Sequence, residues 1–394
     1  MTECILKKKK EQNSSLISTQ NIKAFRDTIN YELPLIKNQL MDYNGKDLWN
    51  IVCSAMDWIE TSTHWLSFRR TPELHNDPYS DSMNVIFYIS AVHMLYEGVA
   101  QLYRVFYGDL CDEKNVRLME GSKGIFSEVG YCKDDATYFK QIRAIYGEHS
   151  VALNLQELFY PPEKRKEHNG ERWFASWSYS SGSGIPTEVY IYSNKPHVPA
   201  KPFSINLSEI ENFAIETNNW IVRITDKAKD LEKQRKEQLT ASDWPHFTNE
   251  EYKKHIAFLL LENEKRADND WYRISLRKIR LILGSELECE LVLKLKQEAN
   301  ALLDKLDAAI HNLEEMDDSL ERIEPKAYMP HSVSNAYISL VDIVVEDFDN
   351  HDYTVWGDLL KDYVKLIVEV DDEEPLEEQY VLITAALLRI EERL

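Results

Sequence analysis

From residue 292 the chain places apolar or small side chains at alternating steps of three and four: Val292, Leu295, Ala299, Leu302, Leu306, Ala309, Leu313, Met316 and Leu320. That spacing puts one side chain per turn on a single stripe of an α-helix, and such a stripe must be covered by another apolar surface. A second run, Ile210, Ala214, Thr217, Ile221, Ile224, Ala228 and Leu231, repeats the pattern. Strands have a period of two, so these two runs predict long helices. They are satisfied either by an intramolecular, coiled-coil-like helix pair or by a second copy of the chain. Ser208 and Glu211 have the spacing of a capping box at the start of the first run.

The front of the chain carries four more helical patterns, about 18–43, 47–68, 80–107 and 134–148. Pro34 divides the first, because a proline removes a helix hydrogen bond and clashes with the preceding turn. In the third, Ile89, Val92, Tyr96, Val99 and Tyr103 recur at threes and fours. The fourth, DDATYFKQIRAIYGE, opens on aspartates, which suit the exposed amides of a helix N-terminus. Four one-sided helices bury their faces most simply as a bundle. The texture then changes. In ERWFASWSYSSGSGIPTEVYIYSNKP, residues 171–196, aromatic and β-branched runs flank a glycine- and serine-rich loop, which predicts a β-hairpin covering the bundle. Helical patterns return at 250–266, 332–349, 353–369 and 376–394. The expected fold is therefore mainly α: a helical bundle over 18–155, a small β-hairpin insert or linker over 156–203, and an acidic all-helical region over 204–394.

Charge separates the two halves. The whole chain carries a formal −21, but residues 240–394 hold 17 Lys+Arg against 35 Asp+Glu, and the front is nearly neutral. An acidic half repels nucleic acid, so any nucleic-acid site is expected in the front half, with the back half as a screen or as a surface for a protein partner. Five cysteines without CxxC spacing argue against a disulfide framework and a structural zinc site, and Cys53 and Cys289 read as core fillers. No secretory signal follows the basic MTECILKKKK start, and no uninterrupted apolar run has membrane-spanning length. These features predict a cytoplasmic protein that needs no membrane.

One short stretch bears on chemistry: FKQIRAIYGEHSVALN, residues 139–154. Arg143 presents a fixed fork of donors that suits phosphate, and His149 exchanges a proton near neutral pH. Six helical steps leave them roughly 120° apart, and a helix that loosens at Gly147 brings them together. The two suffice for cleavage of RNA without a metal: His149 moves the proton and Arg143 stabilises charge on the phosphorus-bound oxygens. Tyr146 and Glu148 are placed to orient the pair. The bland alternative is an arginine paired with a nearby acid and a histidine closing the helix C-terminus.

A helical bundle with R-AIYGE-H near the end of a late helix resembles the HEPN superfamily over about residues 18–155. The resemblance implies a metal-independent endoribonuclease of the toxin or antiviral-defence kind, without cofactor, working on RNA as a homodimer through the bundle. Ala144 and Val151 depart from the polar residue and the tyrosine that many members carry at these places. The competing reading is a non-catalytic binding or scaffold protein that assembles through its bundle and heptad seams. Other candidates read as structure. Arg70 and His75 fall in a loop, His64 and His93 sit beside aromatic residues as core histidines, and His93 is four residues from Glu97, within one helical turn. Trp173, Trp177 and Tyr179 alternate as a stacking platform would, but packing onto the bundle accounts for them. VEVDDEEPLEE, 368–378, lacks the glycine and alternating ligands of a calcium loop and reads as a solvated acidic turn.

Overall fold

The structure is a computed structural model, and it describes residues 17–68, 72, 77–147, 153–177, 187–266, 269–314, 323–325, 329–346, 353–371 and 373–391. The chain divides into two compact units after Glu232.

In the first unit, Gln20–Asp27 (α1) runs into a π-helical turn, Thr28–Glu32, and stops at Leu33. Pro34 then opens Pro34–Met41 (α2), where its missing N–H costs nothing. The next free amides of that helix start, Leu35 N and Ile36 N, donate to the Glu232 carboxylate at 3.2 and 2.8 Å. Trp49–Phe68 (α3) and Pro78–Tyr103 (α4) pack along each other. Asp135–Tyr146 (α5) begins where Asp134 accepts from Thr137 N at 2.7 Å. The adjoining Asp135, fully buried, accepts from Ile125 N and Phe126 N and ties the preceding loop to this helix start. Phe25 meets Phe106 edge to face, and Phe139 stacks on Phe213 at 4.5 Å.

Pro78–Cys111, which contains α4, is long and apolar enough to cross a membrane by length and composition, contrary to the sequence expectation. Half of its most apolar window is buried in the protein, and the core takes Val85, Ile89, Val92, Leu95, Val99 and Leu102 from it. The helix is so apolar because its outer face also carries Met83 and Phe87.

The hairpin forms as Trp173–Trp177 (β1) against Glu188–Ser193 (β2), antiparallel, with Trp173 opposite Ser193. A third strand, Lys201–Ser204 (β3), extends it in the order β1-β2-β3. The sheet is a cover, as expected: Trp173, Val189 and Ile191 are buried in the first unit's core. Lys201 Nζ lies 4.3 Å from the Phe159 ring centroid and 5.1 Å from that of Trp173, which anchors β3 by cation–π attraction. Tyr179 lies outside the described residues.

Leu207–Thr240 (α6) follows. Its cap is Asn206, whose side chain accepts from Ser208 N at 3.0 Å, in place of the expected Ser208–Glu211 box. Ile210, Ala214, Thr217, Ile221, Ile224 and Ala228 are buried, and the apolar members belong to the first unit's core. The boundary between the units thus falls inside this helix, not at residue 204.

The second unit contains Tyr252–Arg266 (α7), Asp270–Gly284 (α8), Glu290–Asn312 (α9), His331–Glu346 (α10), Tyr353–Val364 (α11) and Leu376–Ile390 (α12). The second seam is buried in this unit's own core from Val292 to Ala309. It is shorter than four heptads, because Leu313 turns left-handed (φ 55°) and ends α9; Met316 and Leu320 lie outside the described residues. In α12 every residue from Gln379 to Leu388 is buried, as befits a helix surrounded by others. Cys289 is exposed at the N-cap of α9 and does not fill the core, whereas Cys53 is half-buried and packs against the first unit's core.

Asp307 ties this unit together. It accepts from Trp244 Nε1 at 2.5 Å and sits 2.6 Å from His255 Nε2, while His311 stacks on Trp244. Burial alone would raise its carboxyl pKa, but the bonds from His255 and Trp244 outweigh it and hold the pKa below the usual carboxylate range. A carboxyl with a depressed folded pKa contributes stability that is present above its unfolded pKa and lost as pH falls through the folded value. Asp307→Asn is therefore expected to destabilise the protein by about 1.5–3 kcal/mol at pH 7. In urea titrations the gap between wild type and Asp307→Asn closes as pH falls past the ordinary carboxylate range and through the depressed folded value. A gap of unchanged size at low pH would contradict this account.

Candidate active site

The end of α5 is where the expected pair begins. Gly147 N donates to Arg143 O at 2.8 Å and closes the last turn, and the helix stops there. A Cβ at Gly147 would stand 2.6 Å from that carbonyl, so only glycine fits this exit. Glu148 and His149 lie outside the described residues, as do Arg70 and His75.

Arg143 is described, and its neighbour is not one the sequence suggested. Arg143 Nη1 sits 2.8 Å from His93 Nε2, on α4. The same ring nitrogen lies 3.2 Å from Glu97 Oε1, one turn further along. One nitrogen cannot serve both neighbours in one state. An unprotonated Nε2 accepts from the guanidinium, whereas a protonated Nε2 donates to the carboxylate and withdraws the acceptor from Arg143. The ring nitrogen thus stands between a cation and an anion. The His93 hydrogen bond is the main cause holding the Glu97 carboxyl below the usual range; partial burial opposes it, and the charges of His93, Arg143 and Lys140 add to it.

Tyr146 does something other than orient the pair. It is buried, and its hydroxyl lies 2.6 Å from Thr187 O and 3.2 Å from Phe203 O, its one proton shared between the two carbonyls. Its ring meets Trp177 edge to face. The residue pins α5 to the sheet, and burial pushes its phenol well above the ordinary value. Its contribution to a site at Arg143 is to fix the helix that carries the arginine.

His93 belongs to a stripe. His93, Glu97, Gln101 and Arg104 follow one another by four, four and three on α4 and its extension, hence on one face. With Asn50, Ile51, Ser54 and Trp58 of α3 they line a groove of about 600 Å³. The sequence carries a signal for it that the apolar periodicity hides: a polar residue at each turn of an otherwise apolar helix marks a wetted face beside a core. His93 is not the core histidine expected but is part-exposed at this groove, while His64 is exposed and packs against Phe68. Among the described residues, no three His, Cys, Asp or Glu side chains converge as metal ligands.

Comparison of the chain with protein-family models, curated proteins and solved structures returns no match.

Proposed function

We propose that this protein is a metal-independent endoribonuclease of the toxin or defence kind, with Arg143 as the group that holds the scissile phosphate. The observation that supports it best is Arg143 bonded to His93, which together with Glu97 lines a groove that is part apolar and part polar. A guanidinium fixed at a helix end offers its fork to phosphate oxygens and stabilises the charge that grows on them. His149 is the proton carrier in this reading. It removes the proton of the 2′-hydroxyl, the 2′-oxygen bonds to phosphorus, and the bond from phosphorus to the 5′-oxygen breaks as that oxygen gains a proton. The products are a 2′,3′-cyclic phosphate and a 5′-hydroxyl, and no redox partner is required. RNA and a second copy docked through the bundle are the partners of this reading.

The second reading, a non-catalytic binding protein, draws on the same contact: the guanidinium already faces a histidine of its own fold. Assembly through the heptad seams has no support, because the described seam residues from Ile210 to Ala228 and from Val292 to Ala309 are inside the protein.

Cleavage of mixed total RNA in EDTA separates the two. His149→Ala is expected to lose about 10²–10⁴-fold in rate, the usual worth of a general acid or base. Equal cleavage by wild type and His149→Ala would remove the histidine from the mechanism. Absence of cleavage by folded wild type would move the protein to the binding class.

A further inference from the structure

The groove between α3 and α4 has features that phosphate binding alone does not use. Trp58 is 54% exposed at its edge, an uncommon place for so large an apolar ring. Ile51 and Met94 add apolar wall, while Asn50, Ser54 and Gln101 supply donors and acceptors. The helices approach closely at Gly98, where a Cβ would stand 2.7 Å from Ile59 Cγ1 and 3.3 Å from Ala55 O. Ala55 and Gly98 lie in the floor of the groove at this close approach. The groove's charges alternate along the length: Arg143 touches His93 at one end, Glu97 follows one turn on, and Arg104 is at the other end, about 16 Å along the helix from His93.

A partner helix would fit this lining poorly, because its apolar face would strand a polar group of α4 at each turn. A nucleobase fits it. Its faces are apolar and stack on an aromatic ring, and its edge carries donors and acceptors. A carboxylate in mid-groove repels phosphate and accepts N–H groups, whereas the cations at the ends attract phosphate. Guanine presents two adjacent N–H donors on its Watson–Crick edge, the arrangement a carboxylate accepts best.

We propose that this groove is a base-specificity subsite for single-stranded RNA: a guanine stacks on Trp58, Glu97 accepts from its Watson–Crick edge, and the flanking phosphates lie towards Arg143 and Arg104. The inference rests on the ribonuclease reading for its substrate class, but it is tested by binding alone. The probes are the 2′-O-methyl trinucleotides UGU, UAU, UCU and UUU, which lack the attacking hydroxyl, titrated into the full chain at fixed low salt. UGU is expected to bind about tenfold more tightly than the other three. Trp58→Ala lowers UGU affinity about tenfold, Trp58→Phe restores most of it by keeping a stacking face, and Glu97→Gln removes the preference for UGU. Equal affinity for all four probes, or UGU binding indifferent to Trp58→Ala, overturns the subsite. These outcomes are independent of cleavage. A chain that binds UGU through Trp58 but cuts no RNA keeps the subsite and loses the nuclease reading; a chain that cuts RNA with neither preference does the reverse.

Discussion

Arg143→Lys is expected to slow RNA cleavage about 10²–10³-fold, the cost of removing one well-placed donor from a site where charge develops. The substitution keeps the positive charge at the C-terminal end of α5, where the helix dipole favours it, so fold stability should change little. It replaces a planar fork by a single ammonium. In the structure one arm of the fork meets His93 Nε2 at 2.8 Å. A lysine cannot hold the histidine and clamp two phosphate oxygens in one plane. The loss should therefore appear in kcat more than in KM, because the second contact matters most in the transition state. Single-turnover cleavage in EDTA, read beside the thermal midpoint of each variant, makes the measurement. A Lys variant as fast as wild type would mean that Arg143 acts only as a charge. An Ala variant as fast as wild type would remove Arg143 from the chemistry.

The parts of this fold that are legible in the sequence are those that depend on neighbours along the chain. Pro34 splits the first helical pattern where a proline must, Asp134 caps α5, and α5 exits at Gly147, the one residue type whose lack of a side chain spares the Arg143 carbonyl. The seam from Val292 to Ala309 is a core stripe because its period matches the helix. What is not legible depends on distant partners. β3 has four residues and contains Pro202, so it carries no strand pattern of its own and forms only because β2 offers an edge. The cap at Asn206 competes with a respectable capping box two residues on, and its position is settled by where the sheet releases the chain. His93 stands 50 residues before Arg143, and no local pattern links them. Half of the candidate site is nonetheless written locally. The polar stripe from His93 to Arg104 interrupts an apolar helix at successive turns, which is enough to place a wetted groove on α4 from the residue order alone.

The second large effect lies in the acidic unit. Arg266→Met is expected to destabilise the protein by about 3–5 kcal/mol, the range for removing one partner of a buried charged network. Arg266 is 1% exposed. Its Nε donates to Glu262 Oε2 at 3.1 Å, one arm donates to His311 O at 3.0 Å, and the other to Leu239 O at 2.9 Å. Leu239 and His311 lie in the last turns of α6 and α9, whose final carbonyls have no partner within their own helices. One guanidinium thus closes two helix ends, with the Trp244 ring 4.8 Å away. Methionine fills much of the volume and supplies no donor, so the loss reports the hydrogen bonds more than a cavity. Arg266→Lys should recover only part of it, because three donors on one atom cannot face Glu262 and two helix ends together. Urea unfolding of the full chain decides the matter: a cost under about 1 kcal/mol for Arg266→Met would show that other donors, Ser242 at Leu239 O and water at His311 O, satisfy those carbonyls without the guanidinium. A unit with so strong an excess of carboxylates over cations has reason to place a fixed positive charge inside, where it meets both a carboxylate and the negative ends of two helices.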